Sequence, residues 1–111
     1  MRVTVFLPLV MLGACAARGP LPVAEPAARV FYGDIALDSA TGRAALRARV
    51  ANAARGFCAK HEDEITPDAL RTDKFYCLER VRDTLVAEMP GAVRGAYRTA
   101  MDEAGIIGRR L

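Results

Sequence analysis

Three cysteines and one histidine are the side chains of this 111-residue chain with the most distinctive chemistry. The cysteines are Cys15, Cys58 and Cys77, and His61 stands three residues after Cys58. A thiolate can attack an electrophile, bind a metal or form a disulfide, and its redox compartment decides which of these is open to it. The residues around Cys15 indicate that compartment.

Cys15 follows a segment that is typical of a secretory signal. Arg2 gives a positive start, and residues 3–12 are mostly apolar but too few to span a bilayer as a mature helix. Leu12-Gly13-Ala14-Cys15 resembles the lipobox of bacterial lipoproteins, in which the cysteine is lipidated and becomes the first mature residue. We therefore predict a signal peptide over residues 1–14 and lipidation of Cys15. Ordinary signal cleavage close to Cys15 is the alternative.

The residues after Cys15 are rich in proline. Residues 15–28 include Gly19, Pro20, Pro22 and Pro26, a density that favours an extended chain. We predict that they tether a domain over residues 29–111 to the membrane. One acyl chain binds a membrane reversibly and two hold it firmly. In the lipoprotein family a residue other than aspartate after the cysteine, here Ala16, favours passage to the outer membrane.

Cys58 and Cys77 remain once Cys15 is acylated. Two cysteines in an oxidising compartment pair by default, and closing a loop of this length contributes roughly 3 kcal/mol in the chain-entropy model. The alternative is a metal site formed by Cys58, His61, Cys77 and one acidic residue of 62–64. Structural zinc sites usually pair closely spaced ligands at both ends, whereas Cys77 stands alone. We predict the disulfide, with no metal or other cofactor.

The periodicity of apolar residues predicts a mainly α fold, a small three-helix domain behind a short N-terminal strand. Residues 30–32 are β-branched or aromatic, and with Arg29 they predict a strand over residues 29–32. Ser39 or Asp38 caps a first helix from about Ala40 to Phe57. Its apolar stripe comprises Leu46, Val50, Ala53 and Phe57.

Two further helices follow an acidic stretch over residues 60–65, which we interpret as a solvated loop. Thr66-Pro67-Asp68 is a helix start, and the second helix extends to Met89. Because Lys74 would interrupt its apolar stripe, we expect a break or kink near Thr72-Asp73. A third helix covers Ala92 to Ala104, with Gly105 as its stop signal.

The first helix is basic, because residues 39–60 contain five cations and no acid. Arg43, Arg47 and Arg49 flank the apolar stripe, whereas Arg55 points away from it. Such arginines either extend their alkyl chains along the core or contact an anionic lipid or lipopolysaccharide surface. We keep both interpretations for Arg43, Arg47 and Arg49.

Residues 30–39 read Val-Phe-Tyr-Gly-Asp-Ile-Ala-Leu-Asp-Ser, and Gly-Arg-Ala-Ala-Leu follows at residues 42–46. Together with a basic, alanine-rich helix ending at Cys58, this resembles the UrcA family, small exported proteins of Gram-negative bacteria. The family pattern is V-x-Y-x-D-L-x-L-S/T, then G-x-x-x-L, a cysteine at the helix end, and a second cysteine that Cys77 matches. This chain departs from it at Ile35, in the acidic stretch and in a segment after Pro90. The resemblance implies export and a paired disulfide, and carries over no catalytic residue.

Charge, predicted location and the available side chains disfavour two classes of function, nucleic-acid binding and catalysis. A pI near 9.0 is typical of nucleic-acid-binding proteins, but the predicted export argues against that function. His61 with Glu62 and Glu64 offers acid–base groups but no evident pocket, so we do not expect an enzyme. We expect a non-enzymatic, membrane-tethered envelope protein that binds a protein partner or a surface, anchored through Cys15 to the outer membrane and facing the periplasm. A soluble periplasmic inhibitor or stress-related factor is the alternative.

Overall fold

The computed structural model of the protein describes Gly19, residues 27–108 and Leu111. Helix α1 spans Ala40–Ile65, α2 spans Tyr76–Glu88 and α3 spans Gly91–Glu103, with one 3₁₀ turn at Asp68–Leu70. The mainly helical, three-helix prediction is confirmed. The predicted signal peptide, Cys15 and most of the tether lie outside the described residues. Within the described residues, the helices are either too short or too polar to cross a membrane.

The core forms where α1 packs against both α2 and α3. Each helix contributes residues about one turn apart, and Leu46 and Val50 of α1 are fully buried. The buried cluster comprises Leu46, Val50, Ala54, Cys58, Cys77, Val81, Leu85, Met89, Val93 and Tyr97. The predicted stripe of α1 is therefore wrong in its second half, where Ala54 and Cys58 replace Ala53 and Phe57. The disulfide turns Cys58 towards α2, and the small Ala54 lets the helices approach closely.

Helix α1 is longer than predicted. It continues to Ile65, so the predicted end at Phe57 and the predicted loop over residues 60–65 are both wrong. A kink at His61 (φ −129°, ψ 15°) interrupts the helix without ending it. Glutamate and lysine favour helices, and the acidic side chains stay exposed on the outer face while Ile65 packs against the core. A charged run is thus compatible with a helix that has one solvated face.

The predicted second helix is interrupted, as expected from the position of Lys74. Thr66 ends α1 by donating its backbone N–H to the Glu62 carbonyl at 2.8 Å, so its predicted role as the start of a long second helix is wrong. Asp73 then forms a turn, accepting from the backbone N–H of Phe75 at 3.1 Å. Because α2 begins only at Tyr76, Lys74 lies outside the helix and stays exposed.

Helix α3 ends at the predicted glycine. Gly105 has φ +63°, a left-handed conformation that glycine adopts without steric cost. Its N–H donates to Asp102 and that of Ile106 donates to Met101, both at 3.0 Å. This paired arrangement is the Schellman motif, so the stop signal at Gly105 is confirmed.

The segment before α1 lies on the helices. No strand occurs among the described residues, so the strand predicted over residues 29–32 is not confirmed. A strand needs a second strand to accept its backbone hydrogen bonds, and the described chain provides none here. The segment instead packs the side chains of Ala28, Val30, Tyr32, Ile35 and Leu37 against the core.

Candidate functional site

The disulfide fixes the relative position of α1 and α2. Cys58 and Cys77 are bonded, with their Cα atoms 6.0 Å apart, which confirms the predicted pairing. The two sulfurs are therefore not available to the alternative metal site. His61 instead stacks on Phe57, with ring centroids 4.7 Å apart, and its Nδ1 lies 3.0 Å from Glu64 Oε1. In the described part of the chain, no three His, Cys, Asp or Glu side chains lie close enough to hold a metal.

A tight turn connects the N-terminal segment to α1. The Ser39 hydroxyl accepts from the Gly42 N–H at 2.9 Å, which confirms Ser39 as the helix cap. The same hydroxyl donates to the Ala36 carbonyl at 3.1 Å. A Cβ on Gly42 would lie only 1.8 Å from that carbonyl oxygen. The turn therefore requires glycine at position 42, for close approach rather than for an unusual φ.

Arg49 holds the N-terminal segment on α1. Its guanidinium donates to both carboxylate oxygens of Asp34, at 2.6 and 2.8 Å, and to the Phe31 carbonyl at 2.8 Å. The hydrogen bonds from Arg49 lower the pKa of Asp34 from 3.8 to about 2. Asp34 therefore stays ionised, and the two-pronged contact fixes the orientation of the segment.

Arg43 joins three parts of the fold. Its guanidinium donates to both carboxylate oxygens of Glu103, near the end of α3, and to the Leu37 carbonyl at 3.2 Å. The hydrogen bonds from Arg43 lower the pKa of Glu103. The Arg43 side chain thus links the start of α1 to the C-terminal end of α3 and to the N-terminal segment.

The three arginines that flank the predicted apolar stripe of α1 have different surroundings. Arg43 and Arg49 bind acidic groups of the protein itself. Arg47 is half-buried, and its Nε has no hydrogen-bond partner among the described residues. Contact of these arginines with an anionic surface stays a prediction, and it would require Arg43 and Arg49 to leave their carboxylate partners.

Residues 28–32, which we call the edge segment, alternate like a strand. Ala28, Val30 and Tyr32 are partly buried, whereas Arg29 and Phe31 are exposed. Phe31 is 77% exposed, although it is a large apolar residue. Among the described residues, the backbone groups of 28–30 form no hydrogen bonds. The edge segment therefore offers an exposed apolar side chain, together with backbone donors and acceptors that no described residue pairs with.

Two grooves border the edge segment. One, of about 450 Å³, lies along the whole segment and is closed by Leu85, Glu88 and Met89 at the end of α2. The other groove, of about 400 Å³, meets the edge segment at Ala28 and extends between α1 and α2 towards Phe57 and Tyr76. The edge segment and these grooves form the candidate functional site.

Sequence reasoning located the edge segment but missed its surroundings. The contacts of Glu103 and Glu88 could not be predicted from the neighbouring sequence. Glu103 contacts Arg43, 60 residues away, and Glu88 lies more than 50 residues along the chain from the edge segment. Phe31 could have been recognised by alternation, since it stands between two residues that pack inward.

Comparison of this chain with protein-family models, with curated proteins and with solved structures finds no match.

Proposed function

We propose that this chain is a non-enzymatic, membrane-tethered envelope protein that binds an extended segment of a partner protein along the edge segment. The observation that carries the proposal is Phe31, 77% exposed in an alternating segment whose backbone is unpaired at residues 28–30 among the described residues. In strand addition a partner chain pairs with the unpaired backbone groups at the edge of a sheet, and the unpaired backbone of residues 28–30 offers the same groups.

The groove along the edge segment indicates the chemistry of the partner. Backbone groups of the partner would pair with those of residues 28–30, and the predicted strand would form on binding. An apolar side chain of the partner would lie against Leu85 and Met89. Glu88 at the same groove favours a basic residue in the partner. Phe31 would be the aromatic anchor, a role in which aromatic residues commonly dominate binding.

The rest of the domain supports this site by holding the edge segment still. Arg49 binds Asp34 and the Phe31 carbonyl, and the Gly42 turn fixes the chain between the segment and α1. The disulfide holds together α1 and α2, the helices on which the edge segment lies. A segment that is already extended loses less conformational entropy on binding than a flexible one.

The location follows from the residues before the edge segment. Lipidation of Cys15 would place residues 15–28 between the membrane and the site, and an extended proline-rich chain of that length reaches roughly 40 Å. The partner would then be found near the periplasmic face of the outer membrane.

Membership of the UrcA family remains a proposal. In its favour, the positions of the family pattern have clear structural roles here. Val30 and Tyr32 pack on the core, Asp34 binds Arg49, Gly42 permits the tight turn, and Leu46 is fully buried.

Co-purification of the full chain from detergent-solubilised envelopes tests the docking proposal. Phe31→Ser is compared with Ile107→Ser, because Ile107 is 86% exposed and lies outside the site. We expect a stoichiometric partner with the wild type and with Ile107→Ser, and its loss with Phe31→Ser. A partner that Phe31→Ser retains, or the absence of any partner, would contradict the proposal.

Mass spectrometry of the Cys15 peptide from membrane fractions tests the tether separately. We expect an acylated N-terminal cysteine. An unmodified peptide running across Cys15 would refute lipidation and leave the docking proposal standing.

A further inference from the structure

A third groove, between α2 and α3, is strongly basic. It has a volume of about 300 Å³ and is lined by Arg82, Arg94 and Arg98 together with Tyr97 and Asp83. It shares no lining residue with the edge segment or the two grooves beside that segment, so it is a separate site.

The charges in this groove are not balanced. Arg82 binds the Asp83 carboxylate at 2.9 Å. Arg94 and Arg98 have no acidic partner among the described residues, although they stand one turn apart on α3. Like charges at this spacing repel one another. The residues that line the groove thus carry three guanidinium groups and one carboxylate.

The position of Arg94 gives a second reason to assign these cations a binding role. Arg94 lies close to the start of α3, where the helix dipole disfavours a positive charge, and the first turn contains no acidic residue. Neither Arg94 nor Arg98 lies in the buried core. Their arrangement is unfavourable for the isolated helix, and a bound anion would remove this cost.

The inner wall of the groove is a buried aromatic side chain. Tyr97 lines the groove and is only 5% exposed, and burial raises the pKa of its hydroxyl.

We propose that this groove binds the phosphate group of an anionic ligand, with Arg94, Arg98 and Arg82 as the contacting residues. The planar guanidinium matches phosphate oxygens with paired hydrogen bonds. The groove exceeds the size of a phosphate ion, and Val86 provides an apolar wall for the group to which the phosphate is esterified. A phospholipid headgroup and a free phosphate compound both present this chemistry.

The test uses the full chain in dodecyl maltoside micelles and follows the Nε–Hε signals of the arginines by NMR. One arm titrates inorganic phosphate, and the other adds phosphatidylglycerol to the micelles, with phosphatidylcholine as its control. Arg94→Gln and Arg98→Gln are compared with Arg55→Gln, an exposed arginine on α1 that lies outside the groove. Unchanged thermal unfolding of each variant confirms that it is folded.

We expect saturable shifts at Arg94 and Arg98, and a roughly tenfold loss of affinity in each groove variant but not in Arg55→Gln. Arg98→Lys should also bind more weakly, because lysine keeps the charge but not the paired hydrogen bonds. Saturation by inorganic phosphate supports a soluble ligand, and saturation by phosphatidylglycerol alone supports a lipid headgroup. Saturation in neither arm, or an equal loss in Arg55→Gln, would overturn the proposal.

Discussion

Replacing glycine by alanine at position 42 should destabilise the protein, whereas the same change elsewhere in its helices should stabilise it. The new Cβ at position 42 would lie 1.8 Å from the Ala36 carbonyl oxygen and 2.7 Å from its carbonyl carbon. These are backbone atoms, so rotation of a side chain cannot relieve the clash. The turn around Ala36 would have to retreat by more than an ångström.

The expected magnitude follows from what that retreat would break. Overpacking costs about 1–3 kcal/mol, and the Ala36 oxygen also accepts hydrogen bonds from Ser39, each worth about 1 kcal/mol. The higher helix propensity of alanine would offset up to about 1 kcal/mol of this loss. The net loss of unfolding free energy is about 2–4 kcal/mol, which lowers the melting temperature of a domain this size by roughly 10–20 °C.

Gly56 in α1 and Gly95 in α3 are the matched controls. A Cβ at either position would meet nothing within 4 Å, so alanine should raise stability by about 0.5–1 kcal/mol. Thermal unfolding followed by circular dichroism, with the disulfide intact, measures all three variants. If Gly42→Ala melts at or above the wild-type temperature, the close approach to Ala36 is wrong.

Four further substitutions test the Cys58–Cys77 disulfide, the core and the ion pair between Arg49 and Asp34. Cys58→Ser should cost roughly 3 kcal/mol of unfolding free energy, measured by calorimetry. It should also leave Cys77, which is buried in the fold, as a thiol that is alkylated after denaturation without a reductant; if mass spectrometry finds Cys77 alkylated under the same conditions in the wild type, the pairing is wrong. Leu46→Ala should cost about 3–5 kcal/mol by urea denaturation and Phe57→Ala only about 2 kcal/mol, because Phe57 is half-buried; equal losses would contradict the observed core. Asp34→Asn should lower the melting temperature at pH 7. Because the folded pKa of Asp34 lies below its ordinary value, this stabilisation is present above about pH 4 and is lost as the pH falls through about 2, so the two melting curves should converge there; a difference that persists at pH 2 would exclude the ion pair as its source.

Local signals predicted most of the helical elements. Ser39 and Gly105 act through hydrogen bonds to residues at most four positions away, so the sequence around them suffices to identify a cap and a stop. Lys74 predicted the break before α2 because a charge cannot occupy the middle of a buried stripe. The disulfide was predicted from the number of cysteines and the expectation of an oxidising compartment.

Tertiary contacts decided what local signals could not. The end of α1 was misplaced because its acidic residues look alike in a solvated loop and on the outer face of a helix. Phe57 was assigned to the core by spacing, but Cys58 faces α2 and moves Phe57 to the flank.

The contacts that hold the candidate site in place were only partly predictable, because they also depend on tertiary structure. The need for glycine at position 42 depends on Ala36 folding back over the start of α1, and the partner of Arg43 is 60 residues away. Neither contact has a signature in the neighbouring sequence.

Photo-cross-linking along the edge segment tests the central claim most directly. A photoreactive amino acid is placed in turn at residues 29, 30, 31 and 32 of the full chain in cells, with position 107 as the control. We predict that positions 29 and 31 cross-link to one common partner, whereas 30 and 32, which pack inward, and 107 do not. Equal cross-linking at all four positions, or none at positions 29 and 31, would contradict the claim that this segment receives an extended partner chain.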